Sequence, residues 1–442
     1  MKKIILIFTF ALSLFSLVAC GGAINAPANF RIDGDTASWD SVEGATKYRL
    51  EFVGESTQKR VVNEISVDLK SLNLPFGTYT VNVQAIVGDK ESAYTTDNLT
   101  YEMVDDSAKV NVISEDGLTQ SGFVKWMGRT EYNKLYQAVI LYYSSSGFEV
   151  SFTGTKVTCE LESTNKYPYV VIVVDGDFEN SKRLQFTSNK MTLDLVEFGT
   201  DDGKEHKVAL YKSTESQQAH IRVKKIETNG SFKEFSGYRD RKIEVIGDSV
   251  SAGFGNLASS KLDEYSLENT DSLKAFPFLV SLGLNAELNQ LSVSGAGLKF
   301  SPYNDKNMFD AFQKVDVGST KNWDFSYVPD LVIVELGTND GYYIGTGKGT
   351  KEEFIHKYNE FLDYIHTVYP NAKIMMYYGG MKESNMYDAY TAIYEEAKSR
   401  IPDLGILKYE GDGNGAQGHP SAQSQKDIAS AIIAKAKEMM NW

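Results

Sequence analysis

The hydrophobic period of this chain changes at Arg241, and that change limits its fold more than any other feature. Beyond it, apolar runs of strand length stand at Lys242-Ile243-Glu244-Val245-Ile246-Gly247, Asp330-Leu331-Val332-Ile333-Val334-Glu335-Leu336 and Lys373-Ile374-Met375-Met376-Tyr377-Tyr378. Helical patterns separate them: Phe354, Tyr358, Phe361, Leu362, Ile365 and Tyr369 recur at steps of three and four and so share one helix face. Pro370-Asn371 breaks that helix, and a last helix begins at Pro420 or Ser421 with Ile428, Ala429, Ile432, Ile433 and Ala436 on one side. Strands that alternate with helices build a parallel sheet covered on both faces, and its ligands bind beyond the carboxyl ends of the strands. The loops that follow strands are therefore where chemistry is expected.

Before Arg241 the period is two. With 442 residues the chain is too long for one core, and about three domains are expected. From about Ala108 to Ser231 alternating runs such as Phe148-Glu149-Val150-Ser151-Phe152 and His206-Lys207-Val208-Ala209-Leu210-Tyr211, together with the apolar run Tyr169 to Val174, suit a jelly-roll-like β-sandwich. Its Asp175-Gly176-Asp177 and Asp201-Asp202-Gly203 runs are turn chemistry without calcium-loop spacing. From Pro27 to about Val104, turn signals about every ten residues and inward-facing Trp39, Tyr48, Leu50 and Phe52 predict a smaller sandwich. Leu74-Pro75-Phe76-Gly77-Thr78-Tyr79 looks like a tyrosine corner, and on these residues the segment resembles a fibronectin type III domain, either a carbohydrate or protein contact module or, as the lack of an aromatic patch favours, a spacer. The expected division is a signal segment at 1–20, a fibronectin type III-like sandwich at 25–104, a jelly-roll-like domain at 108–233 and an α/β/α domain at 240–442.

The first twenty residues read as a secretory signal, with Lys2 and Lys3 before an apolar run from Ile4 to Val18 that is shorter than the roughly 20 residues of a bilayer span. Leu17-Val18-Ala19-Cys20 resembles the lipobox of bacterial lipoproteins, which implies lipidation of Cys20 and a membrane anchor on the outer side. The other cysteine, Cys159, sits in an alternating run and is expected to be a buried thiol. Against 45 basic residues stand 59 acidic ones, and a net charge of -14 argues against a nucleic-acid partner.

Three glycine-rich polar loops follow strands: Gly247-Asp248-Ser249-Val250-Ser251-Ala252-Gly253, Ser294-Gly295-Ala296-Gly297 and Gly337-Thr338-Asn339-Asp340-Gly341. A serine hydroxyl becomes a nucleophile when a neighbouring base takes its proton, and histidine suits that task near neutral pH. Of the five histidines, His206 and His220 lie in the preceding β region and His356 and His366 within one helix, which leaves His419, in a loop at the edge of the sheet. Ser249, Gly295, Asn339 and His419 in that order resemble the four blocks of the SGNH, or GDSL-type, hydrolases. The resemblance implies Ser249 as nucleophile, His419 as its base, and an oxyanion hole made of the Ser249 and Gly295 N–H groups and the Asn339 amide. Asp248 and Asp340 are expected to fix loops.

One position departs from that pattern. Three residues before the histidine, where most members carry an aspartate, this chain has Ala416. A third member must then come from elsewhere or be absent: Asp412 or Glu410 could reach back through the glycine-rich loop, although a solvated turn suits either better, or a backbone carbonyl could hold the ring nitrogen in a Ser–His dyad. The jelly-roll-like region, Leu210-Tyr211-Lys212-Ser213-Thr214-Glu215, Trp323-Asp324-Phe325 and Gly418-His419-Pro420-Ser421 together are similar to carbohydrate esterase family 2. That similarity implies removal of acetyl groups from polysaccharides such as xylan or glucomannan, by a Ser–His acyl-enzyme route, with no metal or organic cofactor. Tyr342 and Tyr343 are candidate sugar contacts, whereas Trp323 and Tyr377 are expected in the core. Two other readings stand beside it: a lipase or thioesterase of the same hydrolase class, and a catalytically silent glycan-binding surface lipoprotein.

Overall fold

The structure, a computed structural model, describes residues 23–75, 77–103, 110–114, 117–120, 122–165, 167–300, 307–381 and 385–442. Cys20 and the signal segment lie outside the described residues, as does Phe76 of the corner. The chain forms two compact units, Met1–Ala108 and Lys109–Trp442. The jelly-roll-like and α/β regions expected as separate domains thus belong to one unit.

The first unit is a sandwich of antiparallel sheets. One pairs Arg31–Asp33, Thr36–Ser38 and Ser66–Asp68; the other runs Thr57–Val62, Lys47–Val53, Gly77–Val87 and Lys90–Glu91, with Leu99–Met103 also on Gly77–Val87. Alternation along Lys47–Val53 sends Tyr48, Leu50 and Phe52 into a core with Trp39, Tyr79 and Val81. The Tyr79 hydroxyl donates to the Pro75 carbonyl at 2.7 Å and pins the corner before its strand.

The second unit begins with a sandwich of two sheets. The first orders Val124–Met127, Gly147–Thr153, His206–Lys212, Tyr169–Val174 and Lys182–Gln185; the second orders Thr130–Asn133, Ala138–Leu141, Ile221–Thr228, Lys156–Ser163 and Lys190–Glu197. Phe148, Val150, Val170, Ile172, Val208 and Leu210 face inward to meet Val157, Cys159, Leu161 and Val223. The opposite face of the first sheet is buried as well, because Val171, Val173, Ala209 and Tyr211 pack on Leu273 and Phe278 of the α/β region. Burial on both faces explains the unbroken apolar run at 169–174, which needs no polar side.

The α/β region carries a parallel sheet in the order Ala286–Ser292, Arg241–Gly247, Leu331–Glu335, Lys373–Tyr378 and Gly405–Lys408. Ile243, Val245, Ile333 and Met375 meet helices Phe276–Leu284 and Ala422–Met440 on one face. Ile246, Val332, Val334 and Met376 meet Lys351–Val368 and Tyr387–Ala397 on the other. The strand order reverses at Arg241–Gly247, so the crevice beyond its carboxyl end, between the loops after this strand and after Leu331–Glu335, is where the topology opens a ligand site.

A fully buried ion pair joins sandwich to sheet. Arg129, beside the strand Thr130–Asn133, meets Glu244 of the first parallel strand at 3.0 Å, with both side chains 0% exposed. Arg129 also donates to the carbonyls of Phe312 (2.8 Å) and Lys314 (2.6 Å), and Glu244 accepts from Asn289 at 2.8 Å. Removing one partner leaves the other charge buried and unpaired, so Arg129→Ala is expected to cost about 3–5 kcal/mol of stability, measured by denaturant unfolding. A loss below about 1 kcal/mol, the value of an exposed pair, would contradict this account of the seam.

Candidate active site

The strand Arg241–Gly247 ends one residue before Asp248, which caps the short helix Ser249–Ala252 by accepting from the Val250 N–H at 3.0 Å. That cap sets Ser249 at the head of the turn, 7% exposed. Across from it, His419 Nε2 lies 2.8 Å from Ser249 Oγ. The loops after two ends of the chain, 170 residues apart, are thus brought into hydrogen-bonding reach.

The imidazole is oriented by the backbone. Its Nδ1 is 3.0 Å from the Ala416 carbonyl oxygen. A carbonyl only accepts, so Nδ1 carries the hydrogen and Nε2 turns a lone pair to the serine hydroxyl. Phe254 stacks on the ring with centroids 4.3 Å apart, and Tyr265 stacks on Phe254 at 4.4 Å. Burial without a neighbouring carboxylate pushes His419 down to about 4, only partly opposed by the Ala416 carbonyl. Sequence reasoning found the histidine but not this aromatic clamp, whose only signal is Phe254 five residues after the nucleophile.

Asp412, one of the two acids that could have reached the imidazole, sits in the turn before the last helix, and the ring nitrogen is held by the Ala416 carbonyl instead. Asp412 accepts from the Ser421 N–H (2.9 Å) and hydroxyl (2.5 Å) and from the Asn414 N–H (3.1 Å), bracing the entry to the helix Ala422–Met440. Ser421 itself caps that helix by accepting from Ser424. Those contacts hold the Asp412 carboxyl below its ordinary range although burial opposes them. Ala416, at the position of the usual aspartate, is fully buried and receives an amide contact the other way: its N–H donates to the Gly255 carbonyl at 3.0 Å. Gly255 has a φ of +57°, and a Cβ there would stand 2.3 Å from the Ala416 Cβ. The small pair Gly255–Ala416 closes the ground beneath His419 by packing.

The oxyanion candidates converge on the same crevice. Gly295 follows the strand Ala286–Ser292 with a φ of +78°. The N–H groups of Ser249 and Gly295 have no acceptor among the described residues. Asn339, at the start of the helix Thr338–Gly345, reaches both loops: its Nδ2 donates to Asp248 Oδ2 and to the Ala296 carbonyl, each at 3.0 Å. Both amide hydrogens therefore have acceptors, and the amide ties the nucleophile loop to the glycine loop. Asp340 gathers the N–H groups of Leu298, Lys299 and Phe300 at 2.8–2.9 Å, the loop-fixing role expected of it. Beneath Ser249, Glu335 and Asp248 are both buried, with the Asp248 N–H 3.3 Å from Glu335 Oε2. Burial pushes Asp248 up to about 7 and, with the charge of Asp248, holds Glu335 well above the carboxylate range.

A cleft of about 740 Å³ opens beside the dyad, between the Thr338–Gly341 and Asp412–Gly418 loops. Lys261, Thr338, Asn385 and Gln417 give its wall polar groups, and Tyr342, Tyr378 and Met381 give it apolar faces. Tyr342 is 70% exposed on that wall. Tyr343 packs edge-on against Tyr342 at 5.6 Å and is half-buried; it is not part of the wall. Lys261 and Asn385 were not anticipated, having no motif around them.

A serine paired with a carbonyl-held histidine, at the switch point of a parallel sheet, defines a serine hydrolase of the SGNH arrangement. Residues 245–439 match the GDSL-like lipase/acylhydrolase family model, and residues 126–233 match the carbohydrate esterase 2 N-terminal model. Among curated proteins the chain is 28% identical to a cellulase/esterase of Acetivibrio thermocellus over 314 residues, 68% of this chain and 38% of that protein's length. It is 22% identical to an acetylxylan esterase/glucomannan deacetylase of Cellvibrio japonicus over 334 residues, 72% of this chain and 89% of the relative. A family two carbohydrate esterase from Clostridium thermocellum, solved in complex with cellohexaose, has the same fold with a TM-score of 0.67 at 24% identity, covering 72% of this chain and 99% of that one. An acetyl xylan esterase from Butyrivibrio proteoclasticus gives 0.66 at 20% identity, over 76% and 100%. These matches support a serine esterase of the SGNH class, of the carbohydrate esterase family 2 kind.

Two measurements check the geometry. His419 accepts a proton only while neutral, so kcat/KM is expected to fall only as pH drops through about 4. An acid limb near 6.5, the value of a free imidazole, would mean that the ring is not buried as described. Asp412→Asn is expected to leave kcat close to that of the parent while costing about 1 kcal/mol at the helix start. A large loss of kcat would restore Asp412 to the machinery.

Proposed function

We propose that this chain is a carbohydrate O-acetylesterase that removes acetyl groups from plant-type polysaccharides, xylan and glucomannan being the substrates that the named relatives suggest. The observation that carries the reading is the 2.8 Å approach of His419 Nε2 to Ser249 Oγ, with Nδ1 tied to a carbonyl. In the first half-reaction Oγ attacks the acetyl carbonyl carbon and its proton passes to Nε2. The tetrahedral oxyanion faces the N–H groups of Ser249 and Gly295, with the Asn339 amide at the junction of their loops. As the C–O bond to the sugar breaks, Nε2 returns the proton to the departing sugar oxygen and leaves an acetyl-Ser249 ester. Water then attacks that ester, gives its proton to Nε2, and Ser249 Oγ leaves with it, releasing acetic acid, which ionises to acetate.

An exposed tyrosine face beside hydroxyl, amide and ammonium groups on the cleft wall supports a sugar ring as the occupant. An aryl-ester series is therefore expected to show a preference for acetyl over longer chains. The first unit is read as a fibronectin type III-like spacer and the next sandwich as jelly-roll-like. With the lipobox at Cys20, the whole is proposed as a lipoprotein held on the outer side of the membrane.

Ser249→Ala is expected to lower kcat on an aryl acetate by at least about 10³-fold, because among the described residues no other hydroxyl lies on His419 Nε2. Acetate release from acetylated xylan and glucomannan should be lost in the same variant. Unchanged release from either polymer would sink the assignment.

A further inference from the structure

The peptide between Ser294 and Gly295 is held from outside the α/β region. Val293 to Ala296 form a turn, closed by the Ala296 N–H donating to the Val293 carbonyl at 3.0 Å, with Gly295 at a φ of +78° in the third position. That positive φ is the mark of a type II turn. Type I and type II turns differ chiefly in the direction of their central peptide, which turns over between them. Here the central peptide carries the Ser294 carbonyl on one side and the Gly295 N–H on the other. Because a peptide is planar and trans, whatever grips the Ser294 oxygen also aims the Gly295 N–H.

Two contacts from the segment that leaves the sandwich strand His206–Lys212 hold the turn, one on the Ser294 carbonyl of this central peptide and one on the Ser294 N–H of the peptide before it. Gln217 Nε2 donates to the Ser294 carbonyl at 3.0 Å, and Glu215 Oε2 accepts from the Ser294 N–H at 3.1 Å. Glu215 is 1% exposed. The segment is itself anchored to the α/β region, since Ser213 donates to Asp271 at 3.0 Å and Ser216 donates to Asp316. The neighbouring Gly295 N–H has no acceptor among the described residues and is left for a ligand.

We propose that Gln217 and Glu215 are positioning residues of the sandwich that lock the Ser294–Gly295 peptide in the orientation that presents the Gly295 N–H to the oxyanion. The sandwich then completes the esterase site without touching substrate. This inference rests on the esterase reading and assigns the sandwich a part in its rate. Without Gln217 the Ser294 oxygen loses its donor, and the peptide is free to turn its N–H away at the moment negative charge develops.

The test is steady-state hydrolysis of 4-nitrophenyl acetate by full-length parent, Gln217→Glu and Ser249→Ala, with thermal unfolding of each. Glutamate has the shape of glutamine but at neutral pH cannot donate to the Ser294 carbonyl. Gln217→Glu is expected to lose about 10- to 100-fold in kcat, with KM and the unfolding midpoint close to the parent. On lowering the pH toward 5 its protonated carboxyl regains a donor while His419 stays neutral, so the ratio of variant to parent kcat should climb. A role confined to domain docking would move the unfolding midpoint, not this ratio. Should Gln217→Glu not fold, Gln217→Leu replaces it, with the same kcat loss expected and no recovery at low pH. A folded variant with kcat within about twofold of the parent, or a glutamate variant with no recovery, overturns the proposal. Parent activity that survives Ser249→Ala would instead overturn the esterase reading, so the two failures are distinct.

Discussion

The docking of sandwich on sheet depends on charges that have no exposure to water. Arg129 and Glu244 are both completely buried, and neither tolerates that environment without the other. Glu244 lies in the strand that leads three residues later to Gly247 and so to the nucleophile turn. The same strand therefore carries the seam and the site. Around the pair, apolar contacts between Tyr211 and Phe278 and a belt of serines, with Ser145 on Ser272 and Ser213 on Asp271, pack the sandwich closely on the α/β region.

At the site itself, a backbone carbonyl does what a carboxylate does in a triad, and the difference has electrostatic consequences. The Ala416 oxygen selects the tautomer of His419 and holds the ring, but it brings only a dipole against the imidazolium that forms on proton transfer. With burial unopposed by a negative charge, the ring is a weak base that stays neutral far into acid. The buried carboxyls lie instead below the nucleophile, where Asp248 caps its helix and binds Asn339 over Glu335, whose carboxyl burial holds well above its ordinary range. Placing them there stiffens the loops.

Much of this was legible in residue order. The switch from a period of two to alternating strands and helices follows from which side chains each element must bury, and the helix face from Phe354 to Ile365 is buried as its spacing requires. The three loops were visible because glycine and polar residues directly after an apolar strand have no packing reason to be there. Asp412 stayed open between an orienting acid and a turn residue because proximity in sequence says nothing about which way a carboxylate turns; it accepts from the N–H and hydroxyl of Ser421, the cap residue of the last helix. Gly255 and Lys261 carried no signal and Phe254 only its nearness to the nucleophile, since an aromatic clamp, a close approach and a cleft wall are made by residues far apart in the chain that meet only on folding.

By itself the sequence determined the layers, the order of the chemistry-bearing loops and the absence of the usual aspartate at position 416, because these depend on local period and residue type. Tertiary structure alone decided what orients His419, that Asn339 bridges two loops, and that the glycine loop is gripped by Glu215 and Gln217 from another sheet. Those are contacts between segments far apart in the chain, 77 residues for Gln217 with Ser294 and 170 for His419 with Ser249. No local pattern encodes a direction of approach across such distances; the packing of two β layers and one α/β layer around a buried ion pair does.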